Sequence, residues 1–90
     1  MENIEKYLKD GKLKVIPRKE KNKIEIFQFF AETLKKQPQE TFTEKELNQI
    51  IAEIYDDYAI IRRYLVDYGF LVRDDYGKEY RLNEKTDDLV

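Results

Sequence analysis

The sequence predicts an α+β fold, three helices closed by a C-terminal β-hairpin, from three observations. Tyr58, Ile61, Leu65 and Tyr68 recur at near-helical spacing, and Gly69 stands where a left-handed C-cap would stop that helix. Residues 70–73 and 79–82 can pair around Asp75-Tyr76-Gly77, which is hairpin patterning. Upstream, Thr43 with Glu46 three residues on forms a capping box. Leu47, Ile50, Ile51 and Ile54 follow at i, i+3, i+4, i+7, predicting a helix over residues 43–54.

The remaining elements follow in chain order. Ile4, Tyr7 and Leu8 fall at i, i+3, i+4, so residues 2–9 read as a short amphipathic helix that Asp10-Gly11 stops. Residues 12–15 alternate before Ile16-Pro17, as a brief strand or extended arm would, with Leu13 and Val15 facing inward. Asn22 and Glu25 resemble a second capping box, and Ile24, Phe27, Phe30, Ala31 and Leu34 mark a long helix that ends before Pro38. Phe42 is placed to staple onto Leu47, and Thr41-Phe42 to add one short strand to the hairpin sheet. The turn Tyr55-Asp56-Asp57 leads into the last helix, residues 57–68, with one Asp as N-cap.

Helix, short strand, helix, helix, hairpin is the order of a winged helix-turn-helix, here with an N-terminal helix/strand extension. The expected organisation is residues 1–19 as N-terminal helix and basic arm, 20–83 as the winged-helix domain, and 84–90 as a flexible acidic tail. The same periodicities predict one core shared by Phe27, Phe30, Leu34, Leu47, Ile51, Ile61 and Leu65.

Composition narrows the chemistry. The 90 residues contain no Cys, His or Ser, and Gly only at 11, 69 and 77. Thiolate and imidazole catalysis, zinc-finger ligation, serine-hydrolase triads and Gly-rich phosphate loops all lack their residues. The pairs Asp56/Asp57, Asp74/Asp75 and Asp87/Asp88 read as caps, turns and tail rather than as metal or acid–base groups. A non-enzymatic protein with no catalytic residue, metal or cofactor is expected. The apolar runs are too short to span a bilayer, and the N-terminus lacks signal-peptide character, so a soluble cytoplasmic protein without a membrane partner is expected.

Charge is unevenly distributed behind a formal net of -2. Residues 1–23 carry eight Lys/Arg against four Asp/Glu, with Lys9, Lys12, Lys14, Arg18, Lys19, Lys21 and Lys23 crowded into a basic arm able to touch phosphates, whereas residues 40–57 carry one Lys against six acids. A helical projection of residues 57–68 points Arg63 directly away from the core side, with Arg62 and Tyr64 at the border. Arg62 is placed to pair with Glu53 or Asp56. Two partner classes follow. Weak, electrostatic binding of double-stranded DNA would use Arg63, Arg62, the wing residues Lys78 and Arg81, and the arm residues Arg18, Lys19, Lys21 and Lys23. A protein partner or homodimer would instead use the outward apolar residues Ile60, Tyr64 and Val66. Asp56 and Asp57 at the start of the last helix oppose phosphates.

The segments Lys12-Leu-Lys-Val-Ile-Pro-Arg-Lys, Phe42-Thr-Glu-Lys-Glu-Leu-Asn-Gln-Ile-Ile, Asp57-Tyr-Ala-Ile-Ile-Arg-Arg-Tyr-Leu-Val-Asp-Tyr-Gly-Phe-Leu-Val-Arg and Tyr80-Arg resemble the bacterial domain of unknown function 2087 family, over roughly residues 10–82. Its members stand alone or form the tails of transcriptional regulators. The resemblance implies a winged-helix-like regulatory module of the standalone form, and draws attention to Ile16, Pro17, Arg18, Lys19, Tyr58, Arg62, Arg63, Asp67, Tyr68 and Gly69. Among these, Gly69 is expected as a C-cap, and Asp67 and Tyr68 as a hydrogen-bonded corner under the wing.

Overall fold

The computed structural model describes residues 6–76 and 78–83. Strands β1 (Leu8–Lys9) and β2 (Lys12–Leu13) form an antiparallel hairpin ahead of helix α1 (Glu20–Lys35). Strand β3 (Thr41–Thr43), helices α2 (Glu44–Ala52) and α3 (Tyr58–Asp67), and strands β4 (Leu71–Arg73) and β5 (Glu79–Leu82) follow. The three-stranded sheet is antiparallel with order β3-β5-β4, so the short strand before α2 joins the C-terminal hairpin across β5. This is an α+β fold with three helices and a winged-helix-like arrangement.

Local chemistry explains the element ends. At the start of α2, the Glu46 N–H donates to Thr43 Oγ1 at 3.1 Å and the Thr43 N–H donates to Glu46 Oε1 at 2.9 Å, the reciprocal capping box. Phe42 and Leu47, on either side of this cap, are both buried in the core, as a hydrophobic staple requires. Helix α3 starts where Asp57 Oδ1 accepts from the Ile60 N–H at 3.2 Å. It stops at Gly69, whose φ of 82° few side-chain-bearing residues adopt. The Phe70 N–H reaches Leu65 O at 2.8 Å and the Gly69 N–H reaches Val66 O at 3.1 Å, the bond pair of a Schellman motif. Leu65 and Phe70 are both buried, supplying its customary apolar contact.

Five sequence expectations are corrected. Leu8-Lys9 is strand rather than the end of a helix; residues 1–5 lie outside the described residues. Asp10 (φ 55°) and Gly11 (φ 79°) both take positive φ, so Asp-Gly makes a two-residue hairpin turn instead of a helix stop. Strand β2 ends at Leu13, which is buried, while Val15 is 58% exposed. Asn22 and Glu25 lie inside α1, which begins at Glu20 behind Lys19 with no side-chain cap. Its buried stripe is Ile26, Phe27, Phe30, Ala31 and Leu34, with Ile24 only half-buried. Tyr58, expected in the core, is 39% exposed, at the first position of α3 where the helix end lies open to solvent.

All seven predicted core residues, Phe27, Phe30, Leu34, Leu47, Ile51, Ile61 and Leu65, are buried in one cluster. Leu13, Ile26, Phe42, Phe70, Leu71 and Tyr80 also belong to it, so hairpin, helices and sheet share a single core. The expected tail, residues 84–90, lies outside the described residues.

Candidate nucleic-acid interface

The outward side of α3 is the natural candidate, because Ile61 and Leu65 fix which side of the helix is buried. Arg63 is opposite them. Its side chain is 82% exposed, and its Nε lies 3.7 Å from Asp67 Oδ2, one turn along the same helix. An exposed pair of this kind holds the guanidinium only loosely.

Arg62 is held differently. Its Nη1 donates to Asn48 Oδ1 and its Nε lies 3.7 Å from Glu44 Oε1, so both partners are on α2; the side chain is 22% exposed. The expected partners, Glu53 and Asp56, are not the ones it meets. Glu44 and Asn48 lie four residues apart on α2 and therefore on one face of it, while Glu53 lies beyond the end of that helix. Glu44 Oε1 also accepts from the Tyr80 hydroxyl at 2.8 Å, so one carboxylate links α2, α3 and β5. Burial first, and then this bond to Glu44, raises the Tyr80 pKa above its ordinary value.

Between α3 and β4 runs an open groove of about 860 Å³. Ala59, Arg62, Arg63, Val66 and Asp67 form its helical wall, and Arg73 with Asp74 and Asp75 its strand side, so three arginines are balanced by three aspartates; Leu71 and Tyr80 also line it. Arg73 is a further cation here, beyond those that sequence spacing points to. The strand register explains its position: Arg73, Tyr80 and Phe42 are aligned across the sheet, and side chains alternate along each strand, so Arg73 shares the face of the buried Tyr80 and Phe42. Strand alternation was legible in the sequence; the cross-strand register that assigns the face was not.

Arg81 takes the opposite face, aligned with Thr41 and Val72. It is exposed there, turned away from the face that carries Tyr80. Lys78 is exposed in the wing loop, where Asp74 Oδ1 accepts from the backbone N–H groups of Lys78 at 2.8 Å and Glu79 at 3.3 Å. Asp74 thus has a definite task in closing the loop. Tyr76, at the wing tip, is 83% exposed.

Of the arm residues, Lys23 approaches α3 from its other flank. Lys23 Nζ lies 5.8 Å from the centroid of the Tyr64 ring, and Tyr64 packs 5.3 Å from Phe27. Arg18, Lys19 and Lys21 are exposed just before and within the first turn of α1. Of the family-matched positions before them, Pro17 is buried and Ile16 half-buried.

The alternative apolar triad does not share a face. Ile60, Tyr64 and Val66 are each half-buried and packed against the core, and Val66 projects roughly 120–160° around the helix from the other two. Outward Arg63 stands between them. The corner expected from Asp67 and Tyr68 is also built from other residues: Asn83 Nδ2 donates to Gly69 O at 2.9 Å, while Asp67 turns to Arg63. A hydrogen bond with Glu20 of α1 is the leading cause of a raised Tyr68 pKa.

No helix among the described residues is long and apolar enough to cross a membrane. No curated protein and no solved structure matches the chain. A family model described as "Uncharacterized protein conserved in bacteria (DUF2087)" matches residues 12–82, and the chain belongs to that family.

Proposed function

We propose that this protein is a non-enzymatic, winged-helix-type regulatory module that contacts duplex DNA in the bacterial cytoplasm, with α3 as the approaching helix. The observation that carries the reading is the outward stripe of α3. Ala59 and Arg63 are exposed on it, with Asp67 one turn on and paired to Arg63, and the stripe is flanked by the α3–β4 groove on one side and by Lys23 over Tyr64 on the other. A small residue and a long cation on an uncovered helix suit close approach to a phosphate-lined groove. Arg63, Arg73, Lys78 and the arm residues Arg18, Lys19, Lys21 and Lys23 supply the charge, while Arg62 orients α3 from beneath. Arg81, on the far sheet face, is a peripheral contact in this reading.

The DNA reading is favoured over an apolar docking face because Val66 projects away from Ile60 and Tyr64 on this helix. The test is a fluorescence titration with mixed-sequence duplex DNA at two salt concentrations. Engagement of about four to six phosphates gives a log–log salt slope of about -4 to -5. Combining Arg63→Ala, Lys19→Ala and Lys21→Ala flattens it by up to about three. No duplex binding at low salt, together with a concentration-dependent dimer that Ile60→Asp or Tyr64→Asp disrupts, would replace this reading with that of an interaction module.

A further inference from the structure

The N-terminal hairpin carries a charge arrangement that its fold does not require. In its register Leu8 faces Leu13 and Lys9 faces Lys12. The leucine pair faces the protein, Leu13 being buried and Leu8 packed against the core. The lysine pair therefore stands on the outer face, and directly opposed like charges weaken a strand pair. The ladder continues through the Lys14 N–H, which donates to Tyr7 O at 3.0 Å, and places Lys14 on the same outer face as Lys12. All three lysines are exposed, and none forms an ion pair among the described residues. A local arrangement that works against its own element is expected at functional or strained sites.

The hairpin is also fixed in a definite place. The Leu13 N–H donates to Ile54 O at 2.7 Å, tying β2 to the turn between α2 and α3. Lys12 and Lys14 line a cavity of about 290 Å³ together with Asp56 and Asp57. Those two carboxylates are the feature of α3 most adverse to phosphate, and the lysines stand beside them at the same end of the helix.

We infer that Lys9, Lys12 and Lys14 form a second phosphate-contact surface, which holds the backbone of a duplex lying against α3 and offsets Asp56 and Asp57. The inference rests on the DNA reading of α3 and adds to it the hairpin as a separate contact. It has a direct test in the full chain. Within the parent slope of about -4 to -5, the triple variant Lys9→Gln/Lys12→Gln/Lys14→Gln flattens the duplex salt slope by about one to two. The corresponding Lys→Arg triple variant retains the parent slope. The Gln variants keep or raise the thermal midpoint at low salt, because the opposed charge is relieved. An unchanged slope in a folded Gln triple variant, with the parent binding duplex, overturns the hairpin contact and leaves the α3 reading standing. A parent that binds no duplex overturns both. Loss by the Gln triple variant of binding to phosphatidylserine-containing vesicles, with duplex binding intact, assigns the surface to lipid headgroups and also overturns the inference.

Discussion

The Tyr80 hydroxyl donates a 2.8 Å hydrogen bond to Glu44 Oε1, across a separation of 36 residues in the chain. The bond ties the middle of β5 to the first turn of α2, and the same oxygen lies 3.7 Å from Arg62 Nε on α3. The sheet and the two helices that bear the candidate interface are thereby held to a common carboxylate. Tyr80→Phe keeps the buried ring and removes the hydroxyl, so urea denaturation is expected to show a loss of about 0.5–1.5 kcal/mol.

The same contact sets an alkaline dependence. Burial, and then the hydrogen bond to Glu44, raises the Tyr80 pKa above the ordinary 10.0, so the folded protein retains this proton after the unfolded chain has lost it. The resulting stabilisation is complete below the unfolded value and is lost as pH rises through the folded one. Tyr68, raised chiefly by its hydrogen bond with Glu20, acts in the same direction. The midpoint of urea denaturation is expected to fall above about pH 10. Tyr80→Phe should fall less steeply over that range; an equal slope in both proteins would mean that Tyr80 does not contribute.

Leu65 is fully buried at the meeting point of α3 with the core cluster. Leu65→Ala is expected to cost about 2–5 kcal/mol, the usual range for emptying a leucine site that collapses only partly. Chemical denaturation within half a kcal/mol of the parent, on the order of the change at a typical surface site, would place Leu65 outside the core.

Gly69 isolates backbone strain from crowding. Its φ is 82°, and a Cβ added there meets no atom within 4 Å. Gly69→Ala is expected to cost about 1–2 kcal/mol through the left-handed conformation alone. Gly69→Asn should cost less, since Asn enters this region more readily. Similar losses for Ala and Asn in thermal unfolding would contradict a purely conformational origin.

What was legible in the sequence was whatever local chemistry determines. The Thr43/Glu46 box, the Asp57 cap, the Gly69 stop and the alternation after it depend on neighbours within a few residues, and each appears in the structure. Local ambiguity explains the failure at Asp10-Gly11, since a positive-φ dipeptide serves either a helix end or a two-residue hairpin and the brief Leu8-Lys9 flank does not decide between them. The candidate site was less legible for a different reason. Periodicity assigned Arg63 its outward direction, but the partners of Arg62 come from α2 and the orientation of Arg73 from pairing with β5. Such cross-element geometry follows from how the elements dock, which the spacing along one element does not encode.

The three arginines lining the α3–β4 groove should therefore separate by function. Arg62 is largely covered and bonded to Asn48 and Glu44, so Arg62→Ala leaves both α2 groups without their cation and should lower stability by about 1–3 kcal/mol in urea denaturation. Arg63 is exposed and paired only with Asp67 among the described residues, and its Ala variant should stay within about 0.5 kcal/mol of the parent. In duplex titrations the order reverses. Arg63→Ala and Arg73→Ala are each expected to flatten the log–log salt slope by about one while the fold is retained, and Arg62→Ala to leave it near the parent value once folded protein alone is counted. A slope that changes for Arg62→Ala but not for Arg63→Ala or Arg73→Ala would mean that the groove is not the phosphate-bearing side of α3.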